Sequence, residues 1–105
     1  WGMMQQESMC CGRPIIFTNY GGLAEFANKN NGFEVGYDTV YSTGYWQFGG
    51  TWSDFKFDEM CDMMLYCHNN REQVYSKGLL ASQNAASFTK EKFIKHINKI
   101  LVEYI

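Results

Sequence analysis

The 105-residue sequence predicts an α/β fold: two short parallel strands set among several helices. Three observations carry that reading. Ile15-Ile16-Phe17-Thr18 is a short, uninterrupted, β-branched apolar run, the pattern of a strand buried on both faces in a parallel sheet. Helical segments lie on either side of it, with links of only a few residues, before a second short strand at Phe33-Glu34-Val35. From Phe57 onward the apolar residues keep helical spacing to the end of the chain.

The first helix is read over Met3 to Cys11, a stretch without proline, ended by Gly12 as a C-terminal cap with Pro14 just beyond. After the first strand, Asn19-Tyr20-Gly21-Gly22 turns the chain and Leu23 to Asn28 forms a short helix that closes in an asparagine-rich stretch. Asn31-Gly32 then turns into the second strand. Residues 37–56 interrupt this alternation, because Tyr37, Tyr41, Tyr45, Trp46, Phe48, Trp52 and Phe55 recur at no helical period. Gly49-Gly50, between Tyr-Trp-Gln-Phe and Thr-Trp-Ser, predicts a two-residue hairpin turn. So long a segment without structure is uncommon in a compact domain, so local structure or a function is expected there. Its rings either bury their own edges or stack on sugar rings.

Three helices follow. Phe57, Met60, Cys61, Met64 and His68 form one stripe of a helix ending near Asn69-Asn70. Val74, Gly78, Ala81, Ala85 and Phe88 repeat at spacings of four and three, and the small members allow another segment to approach closely. Thr89 caps a last helix with Phe93, Ile97, Ile100 and Tyr104 on one face.

Composition sets the bounds. The length suits a single domain spanning residues 1–105, and 46% hydrophobic against 19% charged residues is globular usage. A net charge of -2 excludes the basic footprint of a nucleic-acid binder. No apolar run approaches the ~20 residues of a membrane span, and no signal-peptide pattern is present. Cys10 and Cys11 are adjacent and cannot bridge each other, and neither they nor Cys61 and Cys67 have the spacing of a zinc site. Small apolar thiols on helix faces, without a metal, fit a reducing, cytoplasmic compartment. Met60, Met63 and Met64 are read as core filling, and His68 and His96 as helix-face residues without a catalytic partner. Lys90, Lys92, Lys95 and Lys99 are placed opposite the apolar stripe of the last helix, either as a solvated face or as one attracted to anionic lipid.

The opening stretch is where chemistry gathers. A helix N-terminus presents unpaired N–H groups and a partial positive charge, so it is an anion site. Gly2 would let a phosphate approach the backbone, and Glu7 lies one to two turns further in. A carboxylate there can accept both hydroxyls of a ribose; a solvated surface glutamate has the same appearance in sequence.

WGMMQQESMCCGRPIIFTNYGGLAEF resembles the signature of group 1 glycosyltransferases of the GT-B fold, whose pattern runs E-G-x-G-x-x-x-x-E-A-M-A-C-G-x-P-V-I and then G-G-x-x-E. Trp1, Gly2, Glu7, Met9, Cys11, Gly12, Pro14 and Ile16 fit the first part, and Gly21, Gly22 and Glu25 the second. Asn31-Gly32 resembles the next family element. Beyond residue 35 the likeness is looser, with Trp52 and the final helices similar to the family's closing segment. Ser8 and Cys10 stand in place of alanines, and Lys56 where an aspartate often caps the following helix.

The resemblance implies the C-terminal part of a nucleotide-sugar-binding domain, a partial Rossmann-like half of a GT-B enzyme of polysaccharide biosynthesis. Glu7 would hold the ribose, and the backbone N–H groups of Gly2, Met3 and Met4 would face the diphosphate or donor sugar. Gly21 and Gly22 would shape the turn beyond the first strand. The first of the family's paired glutamates would fall upstream of Trp1, so no catalytic residue is assigned within the chain. The donor is a nucleotide diphosphate sugar and the acceptor a glycan or a lipid-linked acceptor; transfer proceeds with retention, needing no cofactor or metal. The expected setting is cytoplasmic, with peripheral membrane association of the full-length enzyme, and the chain alone is expected to be inactive and to self-associate. The alternative is a non-catalytic α/β module that binds nucleotide sugar or serves as a scaffold.

Overall fold

The structure, a computed structural model, describes residues 2–42 and 49–105. Along the chain come α1 (Met3–Cys10), β1 (Ile16–Thr18), a 3-10 helix (Gly21–Glu25), β2 (Phe33–Val35), β3 (Tyr37–Tyr41), β4 (Thr51–Phe55), α2 (Phe57–Asn69), α3 (Arg71–Ala85) and α4 (Lys90–Tyr104). The fold is α/β, with four α-helices and two small two-stranded sheets.

β1 and β2 pair in parallel, with Ile16 opposite Phe33, Phe17 opposite Glu34 and Thr18 opposite Val35. Phe17, Phe33 and Val35 are buried, whereas Ile16, Thr18 and Glu34 are only half-buried. The expectation of strands buried on both faces therefore holds for one face. The connection between them is a 3-10 helix over Gly21–Glu25 rather than a helix from Leu23 to Asn28. Short 3-10 turns suit a link this brief, and the asparagines that follow form turns instead. Asn31 is fully buried: its Nδ2 donates to the Phe26 carbonyl (2.8 Å) and its Oδ1 accepts from the Asn28 N–H (2.7 Å). Lys77 reaches across from α3, donating to the carbonyls of Lys29 and Gly32, with its ammonium 4.8 Å above the Phe33 ring. Burial lowers the Lys77 pKa, partly offset by the facing Cys67, and burial raises that of Cys67.

β3 and β4 form an antiparallel hairpin in which Tyr41 faces Thr51 and Tyr37 faces Phe55. The two-residue turn expected at Gly49-Gly50 would take its first strand from residues 45–48, which lie outside the described residues; among the described residues β4 pairs with β3. Tyr45, Trp46 and Phe48 lie outside the described residues. Tyr20 and Tyr37 meet edge to face at 5.4 Å, but Tyr41, Trp52 and Phe55 are exposed. Those three rings do not bury their own edges as expected. The hairpin is tied to the end of β1 by Thr18 Oγ1 and Ser53 Oγ (3.3 Å) and by the Tyr20 hydroxyl, which donates to the Thr51 carbonyl (3.0 Å).

Lys56 is the N-cap of α2, and the Gly36 N–H donates to Glu59 Oε2 (2.7 Å) in its first turn. The inward stripe of α2 is Met60, Met63 and Cys67, all half-buried, while Phe57, Cys61, Met64 and His68 are exposed. The predicted stripe shares only Met60 with the observed one. Cys10 and Cys11 are exposed too, so of the four free thiols only Cys67 is partly covered. On α3 the small-residue stripe is as predicted. Gly78, Ala81 and Ala85 are buried, while Phe88, just beyond the helix, is half exposed and meets Phe26 edge to face.

The core is small: Met9, Ile15, Phe17, Phe26, Ala27, Ala81 and Ala85, with Leu23 packed against it. Each large apolar side chain fully buried there contributes about 1.5–3 kcal/mol. The Cα radius of gyration is 16.7 Å, against about 13 Å for a compact domain of this length. α4 accounts for part of the difference, being exposed along its whole length.

Candidate functional site

α1 is fixed at both ends by the chain that follows it. At its C-terminus the Gly12 N–H donates to the Met9 carbonyl (2.9 Å) and the Arg13 N–H to the Ser8 carbonyl (3.0 Å), the bond pattern of a Schellman cap. Gly12 has φ +71°, a left-handed value that glycine adopts without a Cβ penalty. Pro14 then leads into Ile15 and β1. α3 packs on this turn so closely that a Cβ on Gly78 would overlap the Gly12 carbonyl oxygen. Ser82 Oγ adds a 3.4 Å bond to the Cys10 carbonyl.

At the other end, Gly2 is the N-cap of α1, and no side chain caps it. The first helical hydrogen bond runs from the Gln6 N–H to the Gly2 carbonyl (3.0 Å), so the helix itself uses none of the N–H groups of Gly2, Met3 and Met4. A Cβ on Gly2 would lie 2.7 Å from Leu23 Cδ2. The α1 N-terminus thus meets the 3-10 turn that follows β1 through the Leu23 side chain. Gly21 has φ +61° and is exposed, with open space where a Cβ would stand.

Glu7 is exposed on the side of α1 that also carries Met3, Gln6 and Cys10. No ion pair engages its carboxylate among the described residues. Side chains of a helix lean toward its N-terminus, so the carboxylate reaches back over the turn that begins at Met3. The two positions are about 6 Å apart along the axis. This face of α1 forms one wall of an open groove of about 1020 Å³. The opposite wall is Phe88, Thr89 and the start of α4, contributing Lys90, Lys92, Phe93 and His96.

A carboxylate, unspent backbone N–H groups and an apolar lining with two lysines can together receive a ligand that is part diol, part anion and part flat ring. Of the residues predicted for the site, Met3 and Glu7 line the groove, whereas Gly2, Met4, Gly21, Gly22 and Glu25 do not. Sequence reasoning missed the α4 wall. Its signal was the Thr89 cap, whose side chain accepts from the Lys92 N–H (3.3 Å) and which fixes where α4 starts. A second, smaller cavity of about 330 Å³ holds Glu34, Glu59 and Asp62. Its carboxylates are partly spent, Glu59 on the Gly36 N–H and Glu34 near Lys29 (4.0 Å). Among the described residues no group of three His, Cys, Asp or Glu is arranged to hold a metal, and no helix is long and apolar enough to cross a membrane. Set against models of known families, curated proteins and solved structures, the chain has no match.

Proposed function

We propose that this chain is the C-terminal part of the donor-binding domain of a retaining, GT-B-type glycosyltransferase, which moves a sugar from a nucleotide diphosphate sugar to a glycan or lipid-linked acceptor. The observation that carries the reading is the uncapped N-terminus of α1, where Gly2 lies against the Leu23 side chain of the 3-10 turn beyond β1, with Glu7 in a groove on the neighbouring face of the helix. Open α/β sheets take ligands at the carboxyl ends of their strands, and this turn follows the carboxyl end of β1. The partial Rossmann-like character rests on the parallel β1–β2 pair and on the resemblance of residues 1–35 to the family signature.

In this reading Glu7 accepts the two ribose hydroxyls, and the N–H groups of Gly2, Met3 and Met4 face the diphosphate or the donor sugar. Charge developing on the leaving diphosphate is met by helix-terminal N–H groups rather than by a metal. Gly21 and Gly22 keep the turn open beside it. No residue of the chain is assigned as catalytic. The setting is cytoplasmic, and the exposed strand edges favour self-association of the chain by itself.

Calorimetric titration of UDP, GDP and ADP against wild type and Glu7→Gln tests the reading. Charge-assisted hydrogen bonds contribute ~1.5–3 kcal/mol each, so affinity for the nucleotide that binds should fall about ten-fold or more. An analogue lacking the ribose hydroxyls should lose far less. Equal affinities of wild type and variant would make Glu7 a solvated helix residue. Binding without sugar transfer in a longer protein that carries the upstream glutamate would favour a non-catalytic module.

A further inference from the structure

α4 is a 15-residue amphipathic helix that is exposed along its length. Phe93, Ile97, Ile100, Leu101 and Tyr104 fall on one side at spacings of three and four, with 37–85% of their surface exposed. Lys92, Lys95 and Lys99 fall on the other together with Glu103, while Lys90, three residues before Phe93 and seven before Ile97, falls on the apolar side rather than opposite it as expected. Charge is segregated as well: α4 carries four lysines against Glu91 and Glu103, while the chain as a whole has a net charge of -2. A helix that is cationic on an otherwise acidic chain, with an uncovered apolar stripe, needs an occupant that is apolar within and anionic at its surface.

We propose that α4 is a membrane-surface helix that lies in the interface of an anionic bilayer. At about 22 Å long it is too short to span a hydrocarbon core of about 30 Å, so it lies in the plane of the membrane. Its apolar stripe enters the boundary between headgroups and acyl chains, and its lysines answer the negative surface. Tyr104, at the end of the helix, is the amphipathic ring type enriched at headgroup level. Charge also weighs against a second copy as the occupant, because it would bring two positively charged helices together. Phe93 and Lys92 also line the groove of Glu7, so the test substitutions avoid both. Lys95, Lys99, Leu101 and Tyr104 are not among the residues that line the groove of Glu7.

Co-sedimentation of the protein with vesicles tests it, using phosphatidylglycerol mixed with phosphatidylcholine against phosphatidylcholine alone. The protein should pellet with the mixed vesicles at least ten-fold more tightly than with the neutral ones. Raising salt to ~1 M, where the Debye length falls to ~3 Å, should release most of it. Lys95→Glu with Lys99→Glu should weaken binding at least ten-fold, as should Leu101→Ser with Tyr104→Ser. None of these side chains is buried, so unchanged circular dichroism and thermal midpoint show that a loss is not unfolding. Absence of vesicle binding, or equal binding to neutral and anionic vesicles, overturns the proposal. So does a stable dimer in sedimentation velocity that Leu101→Ser with Tyr104→Ser dissociates while wild type ignores vesicles, since a second copy would then cover the stripe.

Discussion

Glycine inside a helix costs about 1 kcal/mol relative to alanine, so Gly78→Ala would stabilise an isolated α3. In the folded protein the sign reverses. A Cβ at Gly78 would overlap the carbonyl oxygen of Gly12, and it would stand 3.1 Å from the carbon of that carbonyl and 3.2 Å from Pro14 Cδ. The oxygen belongs to a backbone already fixed by the Schellman cap, so it cannot swing aside as a side-chain tip would. Relief requires α1 and α3 to separate. Overpacking of this kind costs typically 1–3 kcal/mol and occasionally more. Against a rigid carbonyl the upper end applies, and after the propensity gain the net loss is about 2 kcal/mol. With about 4–8 °C per kcal/mol for a domain of this size, the thermal midpoint should drop by about 10 °C. Urea denaturation followed by circular dichroism gives the free energy directly. Gln83→Ala, on the exposed side of α3, serves as the control and should stay within about 0.5 kcal/mol of wild type. A Gly78→Ala protein as stable as wild type, or more so, would show that α3 does not press on the Gly12 turn.

Asn31→Ala leaves the Phe26 carbonyl and the Asn28 N–H without their partner in a buried site, at a cost of about 2–3 kcal/mol, while Asn28→Ala at the exposed neighbour should cost less than half of that; both are read by urea denaturation. Alkaline pH probes Cys67, whose thiol is raised by burial above its ordinary value of 9.0, with Lys77 and Arg71 opposing. A raised folded pKa gives a contribution that is complete below 9.0 and is lost as pH climbs through the folded value. Lys77 acts oppositely, since its lowered pKa relieves a penalty as pH rises toward 10.5. Cys67→Ala should therefore flatten the decline of stability above pH 9.0 in a pH series of denaturation curves, and an unchanged slope would contradict the burial of that thiol.

Elements with a strong local signature were legible in the sequence. Phe33–Val35 forms a strand as read, and the β-branched run before it does so from Ile16 onward. Gly12 and Pro14 marked the end of α1, and the Gly78, Ala81, Ala85 stripe announced a close approach before its partner was known. Readings that depended on tertiary neighbours went astray. The face of α2 was misplaced because Met64 and Leu65 are as apolar as Met60 and Met63, and only contact with the β1–β2 sheet and α3 decides which pair turns inward. The pairing of β4 with β3 was not legible either, since nothing local in Tyr37–Tyr41 marks that strand as the partner of Thr51–Phe55. Asn31 looked like a turn residue, and nothing in sequence separates an exposed turn asparagine from one that is wholly buried. Of the candidate site, the α1 wall was readable from Gly2 and Glu7. The α4 wall was not, since it depends on how the chain returns after Ala85.

In the proposed function the N-terminus of α1 and Glu7 hold a nucleoside diphosphate. Amide chemical shifts of the isotopically labelled protein, followed through a titration with UDP, GDP and ADP, test it residue by residue. Saturable shifts are expected at Gly2, Met3, Met4 and Glu7 and at Gly21 and Gly22, with the amides of Lys95 to Tyr104 unmoved. Uniform silence with all three nucleotides, or shifts confined to residues away from α1 and the turn after β1, would contradict it.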